Sequence, residues 1–334
     1  MTNKFILISD THCNLDTMMQ IIDFELRDGS IDAVLHCGDF GIYDSDNTSQ
    51  VPTREKHLIT KHKNKIQMFS PYLTEKQIFP VPIYTIPGNH EDFSLVDRLV
   101  NGTVKVRNMH VFGQGEVIKL FLGECEIMVM GLGKVLPEGL IHKNKPKIIQ
   151  EEDIARALEA GNDKRIDILL LHEPPMLGFT HRGRCGSSAL TELVQLLEPR
   201  LVLAGHMHIE YRSQIGSSQI IGLGYGVKGR YATIDANFNI TFKSLKHENI
   251  EIKTITITEP ILLPQPIKKK STRPSMPVTG REICAHFGVD YQKSGKQPLG
   301  EFFKALKSQM ATQPKITKEQ AFVLAEQFFI KENI

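Results

Sequence analysis

Long apolar runs are absent from this 334-residue sequence. None approaches the roughly 18 residues that a membrane-crossing helix needs, so no spanning segment is expected. Cysteine is scarce. The five residues, at positions 13, 37, 125, 185 and 284, are odd in number and spaced neither as a disulfide framework nor as a CxxC zinc site. The opening residues, Met1 to Ile8, run directly into a strand-like stretch and lack the length and small-residue cleavage site of a secretory signal. These features predict a cytoplasmic chain with reduced thiols. No internal repeat is found, so a repeat architecture is not expected.

Charge imbalance is small overall, +2 at neutral pH, with a 41% hydrophobic and 23% charged composition that is ordinary for a soluble globular protein. The length suits one large domain plus a small one, or two domains. The small net charge hides an asymmetry. Residues 264–334 hold 12 Lys and Arg against 6 Asp and Glu, whereas residues 1–263 hold 28 against 32. The basic end follows Pro260, Pro264, Pro266 and Lys268-Lys269-Lys270, and shows helical periodicity near 280–288, 298–310 and 317–331. The expected organisation is a main domain over 1–257, a Pro/Lys-rich linker over 258–279 and a basic helical module over 280–334. Two readings of the module stand, a solvated helical cap or a surface for nucleic acid or another anionic partner.

What the sequence does contain is a series of short apolar runs, each ending in residues suited to bind a metal. The densest is Leu203-Ala204-Gly205-His206-Met207-His208, where a buried strand over 200–204 gives way to a loop carrying two imidazoles. Upstream, the strand from Phe5 to Ser9 leads into Asp10-Thr11-His12, a hard oxygen and a nitrogen suited to manganese, iron or zinc. Leu15, Met18, Met19, Ile22 and Leu26 follow at helical spacing. Ala33 to Cys37 forms a second strand ending in Gly38-Asp39, and the β-α-β order predicts that the two strands are parallel. Residues 42–80 are polar and basic, with a helix from about 51 to 69. They read as an insertion beside the site, serving as lid or substrate contact, or equally as a plain surface helix.

A third strand, Pro82 to Ile86, ends in Pro87-Gly88-Asn89-His90-Glu91. Short β-like runs at 104–106, 110–112, 117–121 and 126–130 predict a hairpin-rich second sheet. A helix over 149–160 ends at Gly161. The apolar strand 166–171 stops at His172-Glu173-Pro174-Pro175. A Gly/Arg-bearing loop over 179–188 then leads into a helix over 188–197, and further strands are expected at 219–221, 230–234, 239–243 and 251–257. In the loop, Arg182 and Arg184 are either a bidentate phosphate clamp or ordinary surface residues.

Taken together, Asp10-x-His12, Gly38-Asp39, Gly88-Asn89-His90-Glu91, His172 and Gly205-His206-x-His208 resemble the signature blocks of the calcineurin-like metallophosphoesterase superfamily, over roughly residues 1–257. The resemblance implies a four-layer α/β/β/α sandwich, with the small C-terminal helical module outside it. It implies two divalent metal ions, manganese ahead of iron or zinc. Asp10, His12 and His208 would hold the first, and Asn89, His172 and His206 the second, with Asp39 bridging. It further implies a metal-activated water as nucleophile, with His90 as general acid or electrostatic stabiliser. The sequence departs from the protein Ser/Thr phosphatase branch, whose second block is Gly-Asp-x-x-Asp-Arg-Gly. Ile42 and Tyr43 stand where that Asp and Arg would be, and Pro87 stands where the third block there has Arg. The phosphate-gripping arginines and the histidine-orienting carboxylate of that branch are therefore missing from these positions. The leading expectation is a phosphatase or phosphodiesterase acting on a nucleotide-type mono- or diester. A nuclease or nucleic-acid end-processing enzyme comes next, and a catalytically silent binding scaffold last.

Overall fold

Residue alternation along the central strands decides the layering. In β1 (Asn3–Ile8), Phe5 and Leu7 join one core, while Ile6 and Ile8 join another on the opposite face. Burial on both faces turns such strands into the continuous apolar runs seen in the sequence. The structure is a computed structural model. It describes residues 3–44, 53, 55, 56, 69–136, 146–162, 164–176, 178–180, 183–246, 249–253, 317, 320, 324 and 325.

In the first sheet β1 pairs in parallel with β2 (Ser30–His36), β2 with β3 (Ile83–Thr85) and β3 with β4 (Met109–Val111). On the other side of β1 the sheet continues antiparallel through β13 (Arg230–Asp235), β14 (Ile240–Lys246) and β15 (Asn249–Lys253). The second sheet is built on β6 (Cys125–Leu132), β7 (Ile168–Leu171), β10 (Leu201–Ala204) and β12 (Ser218–Gly222), all parallel. β5 (Glu116–Leu122) and β11 (Tyr211–Ile215) flank it antiparallel. A two-stranded ribbon, β8 (Gly178–Thr180) with β9 (Gly183–Cys185), stands apart. The expected first β-α-β unit is present, with parallel strands around α1 (Leu15–Asp28).

One core fills the space between the sheets, with Phe5, Leu7, Leu35, Ile168, Leu170, Leu203, Ile221 and Ile234 among its members. A second packs the outer face of the first sheet under α1, α2 (Ser70–Leu73) and α3 (Phe93–Val100), through Met18, Ile22, Tyr72, Leu95 and Val96. The third packs α4 (Glu151–Gly161) and α5 (Ser188–Leu197) on the outer face of the second sheet, through Ala157, Leu190, Leu193 and Val194. This is the expected α/β/β/α sandwich. Helix starts are set by local polar groups. Asp92 accepts from Ser94 N and Leu95 N at the head of α3, and Gln150 with Asp153 closes a capping box on α4.

Several local expectations change. The run 104–106 is not a strand: Val104 N donates to the Arg98 carbonyl at the end of α3, and Val106 drops into the outer core. The run at 109–111 joins the first sheet beside β3, so only β5 and β6 form the expected hairpin of the second sheet. Helices α2 and α3 and strand β11 were not anticipated, whereas α4 ends at Gly161 as expected. Most of the helix expected at 51–69 lies outside the described residues, although Thr53, Glu55 and Lys56 are helical. So do residues 254–257 of the last expected strand and nearly all of the three C-terminal helices, of which Gln320, Leu324 and Ala325 are helical. The chain divides into two units, Met1–Gln265 and Pro266–Ile334. Among the described residues no helix is long and apolar enough to cross a membrane.

Helix α1 is tied to the first sheet by a buried charge cluster. Glu25 is fully buried. It meets Lys4 Nζ at 2.6 Å and Lys243 Nζ at 2.8 Å, and accepts from the Tyr231 hydroxyl at 2.6 Å. Burial alone would raise the Glu25 carboxyl, but the two ammonium groups and the phenol outweigh it and hold the carboxyl below its usual 4.5. A depressed carboxyl contributes stability above its unfolded value, and that contribution is lost as pH falls through the folded one. Glu25→Ala, which strands two nearly buried lysines, is expected to cost roughly 3 kcal/mol at neutral pH. The deficit against the unsubstituted protein should shrink below pH 4.5. Urea unfolding across pH measures both; a deficit independent of pH would exclude the ionic account.

Candidate metal centre

The expected ligand residues converge at the C-terminal ends of strands from both sheets. Asp10 and His12 follow β1, Asp39 follows β2, and Asn89 and His90 follow β3. His172 follows β7, and His206 and His208 follow β10. Such strand ends are where ligands bind in open α/β sheets. Two groups form. Asp10, His12 and His208 each place one donor atom within 4.8 Å of the others, and so do Asp39, His172 and His206. Asn89 adjoins the second group, its Oδ1 lying 3.1 Å from His172 Nε2. Of the two arginines of the 179–188 loop, Arg182 lies outside the described residues, and only the backbone of Arg184, in β9, is described.

Sharp backbone turns achieve this convergence. Asp10, His12, Asp39, His206 and His208 all have φ between 43° and 64°. Each such left-handed non-glycine residue costs roughly 1–2 kcal/mol. The loops are locked together to bear it. Asp10 N donates to the Gly38 carbonyl and His12 N to the Asp39 carbonyl, while His206 N donates to Asp10 Oδ2. Glycine is required at Gly88, where a Cβ would lie 2.0 Å from Asp39 Oδ1, and at Gly205, where it would lie 2.0 Å from Ser9 Oγ.

Asp39 sits between the groups and is 1% exposed. Its Oδ1 accepts from Asn89 N and His90 N, both at 2.8 Å. Its Oδ2 faces His172 Nε2 at 3.4 Å and His12 Nε2 at 3.7 Å. Burial would raise its carboxyl, but His172, His12 and His90 outweigh this and hold it well below the carboxylate range. His172 Nδ1 lies 2.7 Å from the Cys37 carbonyl, which as an acceptor fixes the proton on Nδ1 and leaves Nε2 to face Asp39. Burial lowers His206, to about 4, so its ring stays neutral. The donor set fits divalent cations. His12 Nε2 is buried without a hydrogen bond among the described residues, yet points at a carboxylate oxygen, as a ligand atom would. A mixed imidazole and carboxylate set suits first-row transition ions. His206 and His208 side chains, about one-third exposed, mark the open side.

The sequence profile of the calcineurin-like phosphoesterase family matches residues 3–210. The chain belongs to this family. It is 24% identical to the lariat debranching enzyme of Caenorhabditis briggsae over 253 residues, 64% of this chain and 47% of that one. It is 25% identical to the lariat debranching enzyme of Entamoeba histolytica over 195 residues, 50% of this chain and 54% of that one. The chain thus spans about half the length of the curated relatives it matches. One solved structure superposes with a TM-score of 0.55 at 16% identity, covering 74% of this chain and all of that one, and so shares the fold.

The sequence assigned no supporting role to several further residues at the site. Glu55, 1% exposed, lies 3.1 Å from His90 Nδ1 and 3.5 Å from His12 Nδ1. Burial would raise its carboxyl, but the two imidazoles bring it down to about 2. It comes from a polar stretch with no ligand-like spacing. Glu91 accepts from the backbone N–H of Phe40, Gly41 and Ile42, pinning the loop after Asp39. The Tyr43 hydroxyl donates to the His90 carbonyl. Tyr225 stacks on His208, with ring centroids 4.2 Å apart. The run Gly222-Leu223-Gly224-Tyr225-Gly226 was a legible sign of close backbone approach there.

The tight place of Gly88 gives a direct test. Gly88→Ala should displace Asp39 and sharply lower the metal bound per chain. Gly113→Ala, whose added methyl meets nothing closer than 3.5 Å, should leave metal content unchanged. Elemental analysis of the two purified variants decides it; equal metal content would show that the Asp39 position is not what the site requires.

Proposed function

We propose that this chain is a metal-dependent phosphodiesterase acting on a nucleotide-type phosphodiester. The observation that carries the reading is the placement of Asp39, whose Oδ2 faces both ligand groups. Asp10, His12 and His208 would hold one divalent cation, Asn89, His172 and His206 a second, and Asp39 both. Manganese is the proposed ion, with iron and zinc the alternatives that this donor set admits. A pair of such cations supplies Lewis acidity to a phosphoryl oxygen and a water acidic enough to react near neutral pH. The chain's own part is positioning. Two backbone N–H groups fix Asp39, and the Cys37 carbonyl orients His172. His90, 19% exposed at the mouth, holds a proton for the leaving oxygen. The names of the relatives support a diester over a monoester, and a nucleotide-type substrate.

With manganese, the purified protein is expected to hydrolyse bis-p-nitrophenyl phosphate faster than p-nitrophenyl phosphate. Asp39→Asn is expected to lose nearly all of this activity and more metal than a change at any other single ligand. Elemental analysis finding two metals per active Asp39→Asn chain would remove the bridging assignment.

A second reading, that the substrate is a nucleic-acid polymer, is favoured by the basic excess of residues 264–334 and by relatives that debranch lariats. Contacts to a phosphate backbone make affinity fall steeply with salt. A chain ending at residue 263 should keep its rate on the small diester, while its nucleic-acid affinity drops and its salt dependence flattens. Aggregation of the truncated chain, or loss of small-ester activity, would exclude a separable binding module.

A further inference from the structure

The two residues at which the chain departs from the protein phosphatase branch, Ile42 and Tyr43, are both buried and both engaged. Ile42 N donates to Glu91 Oε2 at 2.6 Å, and the Tyr43 hydroxyl holds the His90 carbonyl. Neither supplies a carboxylate to His90. Yet His90 is held at its backbone from both ends, its N–H by Asp39 Oδ1 and its carbonyl by Tyr43. A backbone fixed this firmly leaves the ring orientation as the remaining freedom, and a carboxylate from elsewhere meets the ring. Glu55 Oε1 lies 3.1 Å from His90 Nδ1, within ion-pair reach though short of hydrogen-bond geometry, in the segment that the sequence offered as either lid or plain surface helix. The same oxygen lies 3.5 Å from His12 Nδ1, and the rings of His12 and His90 meet edge-on, their centroids 5.4 Å apart. Glu55 is 1% exposed, so water does not compete for it.

We infer that Glu55 is a positioning residue for His90, fixing its proton-bearing Nδ1 so that Nε2 is presented to the leaving oxygen of the ester. The inference rests on the phosphoesterase reading above and deepens it. In imidazole one nitrogen's partner sets the tautomer and the aim of the other, and a carboxylate partner also stabilises the protonated ring. The polar segment after Asp39 thus brings a functional carboxylate into the site, in place of the one absent from position 42.

Glu55→Gln keeps the shape of the side chain and removes its charge. In the full-length manganese-loaded protein, this variant should slow turnover of diesters with alkyl leaving groups by roughly ten- to a hundredfold. p-Nitrophenyl diesters, which need the proton least, should slow far less, with KM and metal content unchanged. The double variant Glu55→Gln/His90→Ala should be no slower than His90→Ala alone, since both changes remove one function. Equal slowing of all diesters, additive losses in the double variant, or loss of metal would overturn the inference. A readout independent of activity separates this inference from the reading beneath it. In zinc-loaded protein with nitrogen-labelled histidine, the Nδ1–H signal of His90 should shift in Glu55→Gln. An unmoved signal refutes the pairing whether or not the protein hydrolyses any ester, whereas an inactive unsubstituted protein with the shift intact refutes only the phosphodiesterase reading.

Discussion

A single buried carboxylate, that of Asp39, is the constraint on which the rest of the site depends. A carboxylate this deep is costly unless each oxygen has partners. Asp39 divides them cleanly. Oδ1 takes two backbone N–H groups from the loop after β3, and Oδ2 faces imidazoles that come from both sheets. The arrangement requires a residue without a side chain in the loop after β3, since a Cβ at Gly88 would overlap Oδ1. It also requires the ends of β2 and β7 to approach closely enough for His172 to reach the Cys37 carbonyl. The position of one carboxylate thus fixes how the two sheets are aligned at this edge.

The sheets in turn hold a backbone that a loop alone would not keep. Five ligand residues lie in the left-handed region, a combined strain that must be met by interactions elsewhere. Apolar residues on both faces of β1, β2, β7 and β10 anchor the strands in three separate cores. The ligands sit one to four residues beyond those anchors, too few for the strained turns to relax. Rigidity of this kind is what a pair of ion sites needs, because donor atoms must be preset to within a fraction of an ångström.

Much of this was legible in the sequence because buried parallel strands write themselves as apolar runs, and the ligand residues stand at the ends of those runs. The four-layer order and both ligand groups follow from that pattern together with the family resemblance. Other features were hidden for physical reasons. Period-two alternation says that 109–111 is a strand but not which sheet it joins, and it joined the first. Helix α3 is only eight residues long and begins immediately after the ligand block, where Asp92 serves as its cap. Glu55 was invisible because its role is created by tertiary packing: a glutamate in a polar helix has the same local pattern whether it faces solvent or two histidines.

The departures from the protein phosphatase pattern also acquire a structural meaning. Where that branch has Asp, Arg and Arg, this chain has Ile42, Tyr43 and Pro87, and each is committed to holding the fold. Ile42 N donates to Glu91, Tyr43 grips the His90 carbonyl, and the Pro87 carbonyl accepts Lys134 N at 2.6 Å, joining the loop after β3 to the strand end of β6. Guanidinium groups at these positions would give a phosphate a bidentate grip independent of any ion. At these three positions the chain offers a phosphoester no guanidinium, and their part in the site is to hold the backbone around Glu91, His90 and the loop after β3.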